Sequence, residues 1–452
     1  MIEKLLEYLK DKKIAILGLG REGKSTYHFL RKHFPDKVIA IHDENEKVKQ
    51  EDSIEDSNVT WVLGENYLAN LNAYDLIIKA PGISFKNQDI TDFQEKITSQ
   101  LELFLSFIPV FTIGITGTKG KSTTSSLLYQ MLCDQNKEAI LIGNIGRPAF
   151  EELEQLKPQE IVVIEMSSHQ LEYMDVSPNI GIILNVFEEH LDHYASFRDY
   201  AKAKYHIGQF QKKEDSFLYN ADNETLKNLQ KEIPLFSKVY EISLNGEKSK
   251  KNVSVYRQDG KIFLDNKVIY EESNPRKLVG DHNLNDIMFV LGVSEILHLD
   301  LKRTTETIAN FNPLPHRMEL VGTYDDVIYY NDSIATIPEA TMDAIDSLKK
   351  VSTLIIGGMD RNIDYTKFIA YLNRSKIDCL ICLPDTGWKI KEEINNPKMQ
   401  AYEVRTMEEA VTLAKEKTRK KHICLLSPAA ASYGFFKNFE ERGNCYKEWV
   451  RK

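Results

Sequence analysis

The sequence predicts an α/β protein of three domains, and two observations lead to that prediction. Its 452 residues are too many for one hydrophobic core, and at roughly 150 residues per domain the length favours three. Short runs rich in isoleucine and valine alternate with helical segments at both ends of the chain, which is typical of Rossmann-like parallel sheets. We therefore expect an N-terminal and a C-terminal Rossmann-like domain, with a further α/β domain between them.

Two changes along the chain mark the expected domain boundaries. A helical stretch near Ser99 leads into VFTIGITG, where a new sheet begins. Two prolines close together in FNPLPHRMEL mark the second boundary, near residue 313. The predicted domains are therefore 1–98, 99–313 and 314–452.

Each domain has its own candidate strands. In the first domain, KKIAILGLG, KVIAIHD and YDLIIKAPGI read as parallel strands that end in polar or glycine-bearing turns, where doubly wound sheets bind ligands. In the second, VFTIGITG, EAILIG, EIVVIEMSS and NIGIILNV have the apolar character of buried parallel strands. In the third, VIYYNDS, TLIIGGMD, DCLICLP and HICLLSPA resume the alternation of strand and helix.

A different pattern occupies about 214–277. FLYNADN, KVYEISLN and VSVYRQDGKIFLDNKVIY alternate apolar and polar residues, and a DG turn lies near Gly260. We expect antiparallel hairpins here, as an antiparallel sheet added to the central domain.

Composition excludes several classes of protein. Hydrophobic residues make up 42% and charged residues 28%, and there is no apolar run of the roughly 18 residues that a membrane-spanning helix needs. A net charge of -9 disfavours a nucleic-acid-binding surface, although a few local donors can still bind a small anion. The N-terminus, MIEKLLEYLKDKK, is charged and unlike a signal sequence. We expect a cytoplasmic monomer that binds neither nucleic acid nor membrane.

The five cysteines are too few and too scattered for a disulfide framework. Cys379 and Cys382 form a C-x-x-C, but they lie in the apolar run KIDCLICLP. Because alternate residues of a strand point to opposite faces, we interpret both as buried strand residues and not as a redox or zinc site.

The first glycine-rich loop follows the first strand. Gly18, Gly20 and Gly23 in GLGREG fit the pattern G-x-G-x-x-G, and Asp43 ends the next strand. From the residues alone three interpretations remain: a dinucleotide site, a site for another diphosphate ligand, and a tight turn without a ligand.

The second glycine-rich loop, ITGTKGKSTT, predicts a phosphate site. Gly117 and Gly120 expose backbone N–H groups before a helix that begins near Lys121 and Ser122, and the helix N-terminus favours an anion. Lysine can reach the β- and γ-phosphates, and the serine hydroxyl can bind Mg²⁺. The spacing departs from G-x-x-x-x-G-K-[ST], because Ile115 stands where the first glycine is expected.

Candidate metal ligands follow the phosphate loop. Glu165 comes directly after the apolar IVVI, where a carboxylate is held at the end of a strand, and we expect it to bind the metal. His190 and His193 form an H-x-x-H without the spacing of known zinc motifs, so a strand end bearing His190 favours a second divalent ion instead. Lys204 reads, from the residues alone, as a solvated surface lysine.

Motifs across the whole chain resemble those of the Mur ligases. They occur in the order expected for that family: GTKGKST, GNIG (143–146), EMSSHQL (165–171), NVFEEHLDHY (185–194), AKAK (201–204), GDHN (280–283), HR (316–317), NDSIAT (331–336) and SPAAASYGFFKNFEERG (427–443). The resemblance implies a P-loop-type ATPase domain in the centre. It also implies an ATP-dependent, ADP-forming ligase that adds D-glutamate to UDP-N-acetylmuramoyl-L-alanine through an acyl phosphate, in peptidoglycan precursor synthesis.

The resemblance also implies roles for individual residues. The ATP site would comprise Gly117, Thr118, Lys119, Gly120, Lys121, Ser122, Thr123, Asn283, Arg317 and Asp332. Two Mg²⁺ ions would be held by Ser122, Glu165, His190 and a carbamylated Lys204, and the catalytic set would be Lys121, Glu165, His190 and Lys204. The UDP precursor would contact Arg21, Glu22, Gly23, Asp43, Pro81, Gly82, Asn144, Ser167 and Gln170. Glutamate would contact Thr336, Arg361, Ser432, Tyr433 and Phe439.

The chain departs from the family pattern at several positions, and other functions stay open. Asn45 stands where relatives often have arginine, Ile334 where many have lysine, and Asp286 where a second asparagine is usual. Within the enzyme class, the alternatives are a ligase that adds L-glutamate and an enzyme like the folylpolyglutamate synthetases. Outside it, the alternative is a nucleotide-regulated binding module, which a second metal site argues against.

Overall fold

The computed structural model describes residues 1–51, 54–190, 193–246, 248–249, 251–361 and 363–452. These residues form two compact units, of which the first comprises Met1–Arg276 and His282–Asn310, and the second Lys277–Asp281 and Phe311–Lys452. Within the described ranges, no helix combines the length and the apolar character that crossing a membrane requires. We keep the division into 1–98, 99–313 and 314–452 as a proposal.

The first unit begins with a five-stranded sheet. Its strands are β1 (Ile14–Leu17), β2 (Ile39–Asp43), β3 (Val59–Leu63), β4 (Leu76–Lys79) and β5 (Ile97–Thr98). The helices of this region are α1 (Glu3–Lys10), α2 (Arg21–His33), α3 (Val48–Glu51) and α4 (Gln100–Phe107). All pairs are parallel and the order is β3-β2-β1-β4-β5, as a Rossmann-like sheet requires.

A nine-stranded sheet forms the rest of the first unit. Its strands are β6 (Phe111–Thr116), β7 (Ala139–Gly143), β8 (Ile161–Glu165), β9 (Ile180–Ile183), β10 (Ser216–Asn220), β11 (Lys238–Ser243), β12 (Val253–Gln258), β13 (Lys261–Leu264) and β14 (Lys267–Glu271). The helices are α5 (Lys121–Asp134), α6 (Ala149–Glu152), α7 (Ser168–Leu171), α8 (Phe197–Gln209), α9 (Glu224–Glu232), α10 (Asp281–Ile296) and α11 (Leu301–Asn310). The strand order is β14-β13-β12-β11-β10-β9-β6-β8-β7.

The prediction of antiparallel hairpins is confirmed only for the end of this sheet. β12 pairs antiparallel with β13, and β13 with β14. It is wrong for β10 and β11, which pair parallel with each other and with their neighbours β9 and β12. The added strands continue the central sheet instead of forming a separate one. β14 and β7 are its two edge strands, and β14 has the charged Lys267 and Glu271 at its ends.

The second unit contains a six-stranded sheet. Its strands are β15 (Glu319–Tyr324), β16 (Val327–Asn331), β17 (Val351–Gly358), β18 (Cys379–Asp385), β19 (Gln400–Glu403) and β20 (Ile423–Leu426). The helices are α12 (Pro338–Leu348), α13 (Thr366–Arg374), α14 (Thr386–Glu392), α15 (Met407–Lys417) and α16 (Phe439–Arg451). The order is β15-β16-β20-β17-β18-β19, and only the β15–β16 pair is antiparallel. The α/β class with three sheets is therefore confirmed.

The two cysteines of the C-x-x-C lie on opposite faces of β18. Cys379 packs in the cluster that contains Ile355 and Tyr446, and Cys382 packs in the cluster that contains Phe368. Burial raises the pKa of the Cys379 thiol to about 11 and that of Cys382 to about 12. The prediction of buried strand cysteines is confirmed.

Helix α2 packs closely against the loop that follows β1. A Cβ atom at Gly23 would lie 2.0 Å from the carbonyl oxygen of Gly18, so only glycine allows this approach. Gly18 itself has a φ of 91°, a conformation that favours glycine. The glycines thus place the N-terminus of α2 directly beyond the end of β1.

Gly23→Ala should lower the free energy of unfolding by about 3 kcal/mol, because the backbone must shift to admit the methyl group. Gly20→Ala is the matched control from the same loop, since a Cβ there meets no heavy atom within 4 Å and the φ is -69°. Urea unfolding followed by circular dichroism measures both. Equal stability of the two variants would contradict this packing.

Candidate functional site

The predicted site of the central sheet lies where four parallel strands end. In the register of β6, β7 and β8, Ile115 and Gly143 both lie opposite Glu165. Strands that run in the same direction deliver the segments that follow them to one edge of the sheet. The phosphate loop after Thr116, the carboxylate of Glu165 and the side chain of Asn144 therefore come together at this edge.

The phosphate loop leads directly into α5. Gly120 has a φ of 85°, and a Cβ there would lie 2.5 Å from Oδ1 of Asp286, so both the conformation and the space require glycine. Lys121 folds back over the loop, and its Nζ donates to the carbonyl oxygens of Gly117 at 2.7 Å and Thr118 at 3.0 Å. The loop thus joins a lysine and a helix N-terminus, the elements of a phosphate site.

Asn185, which follows β9, holds the phosphate loop in place. Its Oδ1 accepts from the backbone N–H of Lys119 at 2.8 Å, and its Nδ2 donates to the carbonyl of Lys119 at 3.1 Å. Its own carbonyl accepts from the N–H of Thr118 at 3.0 Å. Sequence reasoning gave Asn185 no role, although an asparagine directly after the apolar run IGIIL is a signal for one.

Lys204 of α8 lies beneath the phosphate loop, and its interpretation as a surface lysine is wrong. Its side chain is only 2% exposed, its Nζ donates to the carbonyl of Gly117 at 3.0 Å, and it lies 4.8 Å from the centre of the Tyr200 ring. Burial lowers the pKa of Lys204 well below its ordinary value; the charge of Lys121 lowers it further, and nearby carboxylates, Glu189 among them, raise it. Burial and the neighbouring ammonium thus both shift the equilibrium of Lys204 towards the neutral amine.

Glu165 has one carboxylate oxygen engaged and one open. The residue is 1% exposed, and its Oε1 accepts from Nδ2 of Asn144 at 2.8 Å. Its Oε2 is buried and accepts no hydrogen bond from the described residues. Burying a carboxylate oxygen without a donor is costly, so this position suits a cation.

His190 lies in the loop after β9, beyond the strand end on which it was expected. It adopts a φ of 59°, its side chain is 43% exposed, and its ring lies 4.8 Å from the ring of His169. The neighbouring Glu189 pairs with the ammonium of Lys119 at 3.4 Å. The same short loop therefore contacts the phosphate loop and presents an imidazole to solvent.

Among the residues predicted to hold Mg²⁺, Glu165 is the one whose surroundings suit a metal ion. Across the described ranges, no three His, Cys, Asp or Glu side chains converge as a metal site would require. The predicted set has only two such residues, Glu165 and His190, and depends for the rest on the hydroxyl of Ser122 and on Lys204. The open, buried oxygen of Glu165 is the feature that fits a divalent cation.

His193 joins an ion pair between Lys79, at the end of β4, and Glu172, directly after α7. Its Nε2 lies 2.9 Å from Oε2 of Glu172, and the same oxygen lies 3.7 Å from Nζ of Lys79. Lys79 is 4% exposed at the end of β4, and burial lowers its pKa while Glu172 raises it. Sequence reasoning missed Lys79, whose signal is a lysine that ends the apolar strand LIIK.

The first glycine loop is closed by Asp43. Its Oδ2 accepts from the N–H of Leu19 at 2.7 Å, and the N–H of Gly18 donates to the carbonyl of His42, also at 2.7 Å. Gly20 precedes the first turn of α2. One oxygen of Asp43 therefore fixes the loop itself.

The next residues of this loop contact the central sheet's loops. Oε1 of Glu22 accepts from Nε2 of Gln170 at 2.5 Å, and Arg21 donates to the carbonyl of Gly146. Burial raises the pKa of Glu22, which Gln170 lowers. Gln170 also completes a capping box with Ser167. These predicted substrate residues therefore lie together, whereas Pro81 and Gly82 follow β4 at a half-buried and an exposed position.

The predicted nucleotide residues divide between the two units. Asn283 is buried on α10 in the first unit, and Arg317 and Asp332 belong to the second. Asp332 accepts from the N–H of Met318 at 3.1 Å and from the hydroxyl of Ser427 at 2.8 Å. Nε of Arg317 is buried and donates to no described acceptor.

The predicted glutamate residues all lie in the second unit. Thr336 follows β16, Arg361 follows β17, and the other three follow β20. Ser432 is buried, whereas Tyr433 and Arg361 are exposed. Phe439 begins α16, and its carbonyl accepts from the hydroxyl of Ser333 at 2.8 Å.

Arg442 is a buried cation that sequence reasoning did not single out. It is 1% exposed, and it donates to Oγ of Ser333 at 3.0 Å and to the carbonyls of Ser333 at 2.8 Å and Ala430 at 3.0 Å. Burial lowers its pKa to about 10. The signal lies in the helical spacing, because Arg442, Tyr446 and Val450 recur every four residues and all are buried.

Family models of the Mur ligases match three successive parts of the chain. The Mur ligase MurD-like N-terminal domain matches residues 12–99, the Mur ligase middle domain matches 115–294, and the Mur ligase glutamate ligase domain matches 316–430. Among curated proteins, the chain is 35% identical to a UDP-N-acetylmuramoylalanine--D-glutamate ligase of Clostridium botulinum (strain Loch Maree / Type A3), over 99% of this chain and 98% of that one. It is 33% identical to the protein of the same name from Clostridium acetobutylicum, over 98% and 97%.

Solved structures share the fold at lower identity. The MurF ligase of Thermotoga maritima in complex with ADP has a TM-score of 0.61 and 16% identity, covering 98% of this chain and 96% of that one. FolC of E. coli in complex with DHPP and ADP has a TM-score of 0.56 and 14% identity, covering 80% and 97%. At these identities the likeness concerns the fold alone.

Glu172→Gln should lower the free energy of unfolding by about 3 kcal/mol, because it removes the carboxylate that pairs with the buried ammonium of Lys79. The double variant Lys79→Met/Glu172→Gln should recover most of that loss, since it removes both members of the ion pair. Urea denaturation of the single and double variants measures the coupling.

The matched control is Glu154→Gln, which breaks the exposed pair between Lys32 and Glu154 and should cost at most about 1 kcal/mol. Simple additivity of the Lys79 and Glu172 effects would show that the two side chains do not interact.

Proposed function

Because the chain belongs to the Mur ligase family, we propose that it joins D-glutamate to UDP-N-acetylmuramoyl-L-alanine while ATP is cleaved to ADP and phosphate. The observation that carries this proposal is the match along nearly the whole chain to ligases of that name. The phosphate loop, with Lys121 above it and Lys204 beneath it, supports the ATP-dependent step. The product would be a peptidoglycan precursor.

The first step forms an acyl phosphate. The terminal carboxylate of the alanine attacks the γ-phosphorus of ATP, the bond to the bridging oxygen breaks, and ADP leaves. Two anions must approach each other, and the cation of Lys121 with the N-terminus of α5 offsets their repulsion. When bound, Mg²⁺ supplies further stabilisation of the developing charge, and Ser122 with Glu165 and His190 with Lys204 would hold the two ions.

The second step forms the amide bond. The amine of glutamate attacks the acyl carbon, gives up a proton, and phosphate leaves with the electron pair of the broken C–O bond. The intermediate carries a negative charge that the positive groups around the phosphate loop can stabilise. We assign the binding of glutamate to Thr336, Arg361, Ser432, Tyr433 and Phe439.

Lys204 is proposed to act as a carbamate. The environment that lowers its pKa favours the neutral amine, which is the form that can add carbon dioxide. Addition of carbon dioxide turns the lysine side chain from a cation into an anion. An anion beneath the phosphate loop is compatible with a bound divalent ion, whereas a second ammonium group is not.

The N-terminal sheet is proposed to bind the UDP part of the precursor. The match of residues 12–99 to a MurD-like N-terminal domain supports this over the dinucleotide interpretation of GLGREG and over a folate substrate. Asp43, Pro81 and Gly82 lie at the carboxyl ends of β2 and β4, where such sheets bind ligands. All five cysteines are free thiols, which suits the proposed cytoplasmic location.

Phosphate release should require ATP, UDP-N-acetylmuramoyl-L-alanine and glutamate together, and D-glutamate should support at least about tenfold faster release than L-glutamate, which corresponds to a difference of about 1.4 kcal/mol. A coupled phosphate assay with the two enantiomers side by side measures this. Lys121→Ala should abolish release with either one. Equal rates of phosphate release with L-glutamate and D-glutamate would favour the L-glutamate ligase. Phosphate release only when a pteroate replaces UDP-N-acetylmuramoyl-L-alanine would favour the folate enzyme.

Lys204→Ala should lower kcat by a factor of about 100 or more, because the site loses a metal-binding anion. Added acetate should restore part of the activity by placing a small carboxylate in the vacated space. Lys202→Ala, two residues away and half-exposed on the same helix, is the matched control and should keep nearly full activity. Two results together would contradict the carbamate. One is that no small carboxylate restores activity to Lys204→Ala, and the other is that the enzyme is fully active while Lys204 carries no added carbon dioxide.

A further inference from the structure

The second unit contains a cavity of about 300 Å³ at the carboxyl ends of its strands. It is bounded by Gly357 and Gly358 of β17, Leu383 and Pro384 of β18, and the first residues of α15. Open parallel sheets bind their ligands at this edge, next to the point where the strand order reverses. In the order β20-β17-β18-β19, the direction in which successive strands are added to the sheet reverses between β17 and β20. The cavity lies beside this point.

The wall of the cavity is aromatic and apolar. Phe435, Phe436 and Trp449 contribute rings, and Met407 with Leu383 contributes aliphatic surface. Cavities of this size with aromatic walls are typical of small-molecule sites, and flat rings gain additional stabilisation from such partners.

The charged groups of the lining are predominantly positive. The lining contains two arginines, the exposed Arg405 and the buried Arg442. It contains one acidic residue, Glu408. The hydrogen bonds of Arg442 go to the carbonyls of Ser333, Ala430 and Gly357 and to a hydroxyl, so its charge is not neutralised by a carboxylate among the described contacts. A buried cation with only neutral acceptors favours an anion nearby.

We propose that this cavity is a binding site for a small molecule that combines a flat apolar ring with one carboxylate. The ring lies among Phe435, Phe436 and Trp449, and the carboxylate is bound by the guanidinium group of Arg405. Of the residues assigned to glutamate, only Ser432 also lines the cavity. The site therefore shares Ser432 with the one proposed for glutamate and otherwise has its own lining residues, and ligand binding there can be measured without the proposed ligase activity.

Cys445 provides a reporter inside the cavity. Its thiol lines the wall, whereas Cys379, Cys382 and Cys424 are buried in the sheet. Burial and nearby acids raise the pKa of the Cys445 thiol. Cys133 is the other partly exposed cysteine, and Cys133→Ser removes its background.

The experiment uses the full chain carrying Cys133→Ser, with 2-naphthoate as the probe. Modification of the remaining thiols by dithiobis(nitrobenzoate) releases a coloured thiolate as the cysteine sulfur forms a mixed disulfide. We expect 2-naphthoate to slow the reaction of Cys445 saturably, by about tenfold or more, and to quench the fluorescence of Trp449. Cys445→Ser and Trp449→Phe assign the two signals to these residues.

The charge of Arg405 is tested separately. Arg405→Ala should raise the naphthoate concentration for half-maximal protection by about tenfold, the usual effect of one charge-assisted hydrogen bond. Lys415→Ala removes one exposed positive charge from α15, outside the cavity, and should change that concentration less than twofold. The neutral 2-naphthamide should bind wild type and Arg405→Ala equally.

Two results would overturn the proposal. One is the absence of both protection and Trp449 quenching at saturating naphthoate. The other is protection that is equally strong in Arg405→Ala and in wild type. Because neither measurement uses ATP or glutamate, these results leave the proposed ligase function untouched, and a failed phosphate-release assay leaves the cavity untouched.

Discussion

Burial of the Lys204 amine beneath the phosphate loop is the constraint on which the proposed chemistry depends. Lys204 and Lys121 both donate to the carbonyl of Gly117, so the loop lies between two amines. Burial of the Lys204 amine disfavours its charged form, and the nearby charge of Lys121 adds to that effect. The loop is therefore suited to ligands that carry their own charges, and its charges are balanced only when those ligands bind.

The rest of the first unit holds this arrangement in position. The parallel register of β6, β7, β8 and β9 sets Glu165, Asn144 and Asn185 at fixed places around the loop. The pair of Lys79 and Glu172 then ties the first sheet to the helix that follows β8, next to the loop that carries His190.

Sequence reasoning predicted what depends on local patterns and missed what depends on distant packing. The apolar strands before Gly117, Glu165 and Asp43 follow from composition and from the turns that end them, and they are where they were expected. Lys204 could not be placed from the residues alone, because a lysine in an amphipathic helix looks solvated until the loop that covers it, 87 residues earlier, is known. The polar residues within β10 and β11 misled for a similar reason, because most residues of both strands are buried, which the sequence alone did not reveal.

The free edge of the nine-stranded sheet has a consequence for how the protein behaves at high concentration. An unpaired strand offers a row of backbone donors and acceptors to any other strand that meets it. Here the edge strand β14 begins with Lys267 and ends with Glu271, both engaged in ion pairs, and its pairing with β13 is interrupted by a bulge. A second chain that added a strand would have to break those pairs and match an irregular ladder. At the β14 edge, therefore, the sheet is a poor template for a strand from another chain.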